Sequence, residues 1–298
     1  MKKLLSGFML GMGLQFSANV HATIDVSAVE TLNTINVTEM TASEFEAQFI
    51  AKDAGGLAVL SGRVQSPEAL MHYYTTLTKE DIARYTQCAS SLAELTPVFS
   101  DFKKQLTKLT GVPLEDVKAF GVVGAGNTAA TASPHAVVLG LEMICDKQSA
   151  GDISLTFKNY LAHELVHVMQ YRLTKRTDFR FNLLEMALLE GSADYVATLL
   201  LEETFVLDDK RAAFGEANKA ALMNTFIKSM DTFNYAPWLY TLSPTLPSVG
   251  EIPLDMGYWV GFQLATDYVA NGGELSQLLA LDDAHVIFDR AFQQSSND

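Results

Sequence analysis

Along most of the chain apolar residues recur every three to four positions, the spacing that lines one face of an α-helix. From 41 to 110 this period predicts several helices with legible starts. Ser66-Pro67-Glu68 reads as an N-cap followed by proline in the first turn, and Thr78-Lys79-Glu80-Asp81 opens a further helix. Pro97 is expected to end or kink that second helix, because proline lacks the N–H and its ring clashes with the preceding turn. The pattern then changes. Two apolar runs, 117–123 and 136–144, have the length and β-branched content of strands, joined by small residues and Ser133-Pro134. They are expected to form a β-hairpin or a pair of strands. Helical period returns around 161–170 and at 181–197, and 207–230 predicts a surface-facing helix of mixed charge. Residues 238–253 hold Pro244, Pro247 and Pro253 with few helix formers and read as a loop, after which 257–268 is aromatic-rich and helical in period. Many helices and few strands make the expected fold α+β and mostly helical.

Composition changes this picture little until the polar residues of the apolar helices are considered. The stretch 161–170 contains His163-Glu164-Leu165-Val166-His167. Residues four apart on a helix lie one turn apart on the same face, so both imidazoles can reach one metal ion. Glu164 lies on the same flank, where its carboxylate can act as general base on a water. Two histidines leave zinc under-coordinated, so a third ligand is required from elsewhere. The charged residues of 181–197 are Glu185, Glu190 and Asp194. Carboxylates on so apolar a helix are costly to bury unless paired. Glu190 is the preferred third ligand, because Asp194 follows it by one turn and can accept a hydrogen bond from the free ring nitrogen of a metal-bound histidine. Glu185 is the competitor, about 140° away around the helix, with only Leu189 four residues beyond it.

The strings His163-Glu164-Leu165-Val166-His167 and Glu190-Gly191-Ser192-Ala193-Asp194 resemble the gluzincins, zinc peptidases whose third ligand is a glutamate on the next helix. With Tyr195 and Gly257-Tyr258-Trp259-Val260-Gly261 added, residues 115–270 are similar to a bacterial family of predicted zinc-dependent proteases. The resemblance implies a zincin-like domain over 113–298, with a small sheet packed against the metal-binding helix, Zn²⁺ as cofactor and a peptide or protein as substrate. It implies that Tyr258 donates a hydrogen bond to the oxyanion formed during hydrolysis, with Tyr195 as the alternative. It also implies that an edge strand, placed around 138–141, pairs with the extended substrate. His135, at the start of that strand, is a reserve ligand. Two other readings stand beside peptide hydrolysis: a non-catalytic exported zinc-containing binding protein, and an amidase acting on cell-wall peptides.

Residues 1–22 combine Lys2 and Lys3, an apolar run over 4–16 and the ending Val20-His21-Ala22, the pattern of a cleaved secretory signal peptide. An N-terminal helical region, 23–112, is expected to follow it. The protein is therefore expected to be exported, periplasmic or secreted, with no stable membrane insertion after cleavage. The net charge of −14 disfavours nucleic acid as a partner. The two cysteines, Cys88 and Cys145, would meet an oxidising compartment, either as a disulfide or as two buried thiols. Gly124-Ala125-Gly126-Asn127-Thr128-Ala129 matches a dinucleotide-binding fingerprint in letters alone, because Ser133-Pro134 leads to a strand where that motif needs a helix.

Overall fold

The computed structural model describes residues 24–52, 55–60, 66–146, 153–176, 180–201 and 209–292; the signal peptide expected at 1–22 lies outside them. Strand β1 (Ile24–Asp25) leads into six helices: α1 (Ser27–Leu32), α2 (Ala42–Gln48), α3 (Gly56–Leu60), α4 (Pro67–Thr76), α5 (Lys79–Ala93) and α6 (Thr96–Thr110). The local signals act as expected at their starts. Ser66 Oγ accepts the Ala69 N–H at 3.2 Å ahead of α4, and Thr78 and Asp81 form a reciprocal capping box on α5. Pro97 sits in the first turn of α6, where its missing N–H costs nothing, and Gly111 closes that helix with a left-handed φ of 75°.

Strands β2 (Lys118–Val122), β3 (Ala130–Ser133) and β4 (Ala136–Gly140) then build the sheet with β1, in the order β1-β2-β4-β3. The two predicted runs do pair, but in parallel, with Phe120 opposite Val138; the hairpin is β3–β4, folded out of the joint. The second run also stops short. After Gly140 the chain turns into α7 (Leu141–Cys145), because Glu142 swings inward to accept the N–H groups of Gly124 and Gly126 at 2.8 and 3.1 Å. The expected edge strand at 138–141 is therefore corrected. All of β4 is buried between two neighbours, and β3 is the edge. A disulfide joins Cys88 on α5 to Cys145 on α7, rather than to a strand.

Helix α8 (Ile153–Leu173) packs across β3 and β4, so the small sheet lies against the helix that carries His163 and His167. Its end is tied down by Arg172, whose guanidinium makes two hydrogen bonds to Asp116, at 2.9 and 2.8 Å. Helix α9 (Leu183–Leu200) starts on an Asn182–Glu185 capping box and is apolar nearly all round, as befits a helix buried on two sides. Ala193, Val196, Ala197 and Leu200 join the core that runs from β1 to α8, whereas Leu183, Leu184, Ala187 and Leu188 join a second core. That second core is completed by later elements. The expected single helix at 207–230 is two, α10 (Asp209–Ala217) and α11 (Lys219–Ile227), and α11 buries Leu222, Met223 and Phe226 rather than lying on the surface. A loop with a two-stranded ribbon, β5 (Thr245–Leu246) and β6 (Gly250–Glu251), leads to α12 (Met256–Ala270), α13 (Leu275–Ala280) and α14 (Ala284–Phe292).

Helices α9 and α12 cross with their backbones in contact, and two glycines allow it. A Cβ on Gly191 would run into the Gly261–Phe262 peptide, and one on Gly261 would stand 2.5 Å from the Ala187 carbonyl carbon and closer still to its oxygen. This crossing brings the residue at 258 over the face of α8 that bears the histidines.

Candidate metal centre

His163 and His167 project from one face of α8, and Glu190 meets them from α9. The Nε2 atoms of the two rings are 2.9 Å apart, and Glu190 Oε2 lies 3.4 Å from His163 Nε2 and 3.2 Å from His167 Nε2. Ligands bound tetrahedrally at about 2.0–2.1 Å from zinc stand roughly 3.3 Å from one another, so the three atoms have the spacing of a coordination shell. All three side chains are largely buried.

The outer nitrogens explain why these atoms converge. His163 Nδ1 is 2.8 Å from Asp194 Oδ1, and an ionised carboxylate only accepts, so the proton sits on Nδ1. His167 Nδ1 is 2.6 Å from Gln170 Oε1. The Gln170 amide nitrogen donates to the Leu189 carbonyl at 2.8 Å and to Ser192 Oγ at 3.1 Å, which leaves its oxygen to accept from His167. Both rings are thereby held as the tautomer whose Nε2 lone pair faces the other ring. Two lone pairs 2.9 Å apart repel unless a cation lies between them, so the donor set fits a divalent metal. The same charges act on protons. Burial opposes ionisation of both rings, but Asp194 and Glu190 carry His163 well above its ordinary pKa, and Glu190 raises His167. Burial likewise works against ionised Glu190, yet the two imidazoles hold it well below the usual carboxylate range.

Glu164 is only 7 % exposed and lines the same cleft, a cavity of about 1280 Å³ bounded by α8, α9, β3 and the residues around 240 and 255. Tyr258 lines it too, its ring stacked on His163 with centroids 6.2 Å apart. Burial and then the Glu190 charge raise the Tyr258 pKa well above its ordinary value, so the phenol keeps its proton. The other sequence candidates lie elsewhere. Tyr195 packs on Phe262 and does not line the cleft. Glu185 caps α9 and pairs with Arg176, and His135 is exposed on the β3–β4 turn beside Asp116.

Three cleft residues escape the sequence reading. Gln170 had a signal, being a buried amide three residues beyond His167 on an apolar helix. Asn159 had one as well, one turn before His163 on the cleft-lining face. Tyr240 had none. It is 61 % exposed, yet its hydroxyl turns inward to donate to Glu190 Oε1 at 3.2 Å. Its backbone is left-handed, φ 58°, and so is that of Asp255, φ 55°, whose carboxylate accepts the Tyr240 N–H at 2.7 Å. Left-handed non-glycine residues are strained, and such strain concentrates at functional sites.

Fold and site together define a mostly helical α+β protein with a candidate two-histidine, one-glutamate metal centre in a deep cleft. Compared with family models, residues 102–288 match the family described as predicted Zn-dependent protease (DUF2268), and the chain belongs to that family. No curated protein and no solved structure matches the chain.

Proposed function

We propose that this protein is an exported zinc metallopeptidase that hydrolyses peptide bonds, with Glu164 as general base. The observation that carries the reading is the convergence of His163 Nε2, His167 Nε2 and Glu190 Oε2 beside a buried Glu164 that no structural metal site would need. His163, His167 and Glu190 would hold the ion. Zinc, when bound, supplies Lewis acidity that polarises a carbonyl and makes water a stronger nucleophile near neutral pH. The chain's own groups do the rest. Glu164 accepts the proton of the attacking water and passes it to the leaving amine nitrogen. Tyr258, kept protonated, donates to the oxygen on which charge develops. Asp194 and Gln170 keep the imidazoles in one tautomer, and Tyr240 holds the Glu190 oxygen that does not face the histidines. The edge strand β3 offers unpaired main-chain groups to an extended peptide along the cleft wall, since Ala130, Thr131 and Ala132 line it.

Export is part of the proposal. The Cys88–Cys145 disulfide supports it, because such bonds persist in oxidising compartments. No helix among the described residues is long and apolar enough to cross a membrane. The test is digestion of a diverse peptide library by the purified protein, read by mass spectrometry beside Glu164→Gln. Cuts made by the wild type and missing from a mutant that still holds zinc are the expected result. Equal cutting by both removes Glu164 from the mechanism. No cutting by either favours the non-catalytic binding protein.

A further inference from the structure

Among the described residues, three buried side-chain polar atoms lack a hydrogen-bond partner, and two belong to residues that line the cleft: Arg211 Nε and Asn159 Oδ1. Buried polar groups are nearly always paired, so an orphaned donor and an orphaned acceptor on residues that line one cavity point to a ligand as the missing partner. Among the described residues Arg211 is moreover the sole lysine or arginine of the cleft lining, which carries four carboxylates: Glu164, Glu190, Asp194 and Asp255. Its guanidinium lies over the Tyr258 ring, 5.2 Å from the centroid, which fixes the head by a cation–π contact while leaving its edge free for hydrogen bonds. A planar, permanently charged fork fixed in this way matches the two oxygens of a carboxylate.

The distance to the chemistry follows from two ring contacts. Arg211 stands 5.2 Å from the Tyr258 ring, and Tyr258 stands 6.2 Å from the His163 ring. An extended peptide advances about 3.3–3.6 Å per residue, so a carboxylate on Arg211 lies within roughly three residues of a carbonyl at the metal centre. We propose that Arg211 is the specificity-determining residue of this cleft, binding a substrate carboxylate within three residues of the cleaved bond, while Asn159 Oδ1 accepts a substrate N–H. The proposal rests on the peptidase reading. Its shared chemistry has two sources, the C-terminal carboxylate of a short leaving fragment or an acidic side chain near the cut. The cleft's negative charge disfavours either one except at Arg211, so recognition is confined to a single subsite.

The experiment uses the full-length, zinc-loaded protein and paired peptides that differ in one group. One pair carries a free or an amidated C-terminus, and the other carries Glu or Gln within three residues of the cut. Wild type, Arg211→Gln and Arg211→Lys are compared by kcat and KM. Binding of the same peptides to Glu164→Gln, with and without Arg211→Gln, is followed by calorimetry. The expected result is a preference of roughly 10- to 100-fold for the carboxylate member of one pair, carried mainly by KM and mirrored in binding. Which pair shows it identifies the source. Arg211→Gln should bring the preference close to unity, while Arg211→Lys should keep part of it. Should Arg211→Gln prove unstable in a melting scan, a full wild-type preference in Arg211→Lys overturns the role of the fork. Equal handling of both members by the wild type, or a preference that survives Arg211→Gln, overturns the proposal and leaves the peptidase reading standing. A wild type that cuts no peptide overturns the peptidase reading, and a calorimetric arm that shows no carboxylate preference overturns the Arg211 site as well.

Discussion

Replacing Gly261 by alanine sets helix propensity against packing, and the structure says which should win. In an exposed helix interior the change would stabilise by about 1 kcal/mol, since glycine is the poorer helix former. At this crossing the new methyl would stand 2.5 Å from the Ala187 carbonyl carbon and 3.1 Å from Gly191 Cα, where ordinary contact begins at 3.4 Å. The obstruction is backbone, which cannot rotate away as a side chain could, so α9 and α12 must part. Overpacking a well-packed core costs about 1–3 kcal/mol, and a main-chain clash belongs at the upper end. The net expectation is a loss of about 2 kcal/mol, or roughly 3 °C in melting temperature for a chain of this size. Differential scanning calorimetry of the metal-free protein measures it without involving the metal. Gly191→Ala should cost a similar amount, and the double mutant should cost less than the two losses combined, because one separation of the helices accommodates both methyl groups. A Gly261→Ala protein as stable as the wild type, or more so, would refute the close crossing that carries Tyr258 to His163.

Other consequences can be checked separately. Gln170→Ala removes the acceptor that orients His167 and should weaken zinc binding by about 10- to 100-fold, measured by competition with a chelating dye, while leaving the fold intact; unchanged affinity would show that the His167 tautomer does not depend on it. Changing both Cys88 and Cys145 to serine opens a loop spanning 57 residues and should cost up to about 4 kcal/mol in denaturant unfolding, with no loss counting against the bond. Burial holds the Glu142 carboxyl above its usual 4.5, against the pull of the Gly124 and Gly126 N–H groups. The folded state then binds this proton more tightly than the unfolded chain, so the group's contribution is full below 4.5 and fades as pH rises through its raised pKa. The wild type should accordingly lose stability relative to Glu142→Gln as pH rises above 4.5, and a difference that stays flat as pH rises would contradict it.

What the sequence by itself determined is what lies within a helical turn or two. The HExxH spacing puts His163 and His167 on one face because the helix repeats every 3.6 residues, whatever surrounds it. The caps at Ser66 and Thr78 work through side chains three residues from their targets, and Pro97 acts on its own turn. Glu190 and Asp194 were legible for a related reason, being carboxylates on a helix too apolar to leave them unpaired. Strand direction was not legible, because an apolar run of five residues has no preference between a parallel and an antiparallel neighbour; β4 is an inner strand because β2 and β3 pair with its two edges, which only the assembled sheet decides. Tyr240 reaches Glu190 from 50 residues away through a left-handed loop, and Arg211 reaches Tyr258 from another helix. Their roles depend on how α9, α10 and α12 pack, which is a property of whole surfaces meeting, at Gly191 and Gly261 above all, and no local spacing encodes it.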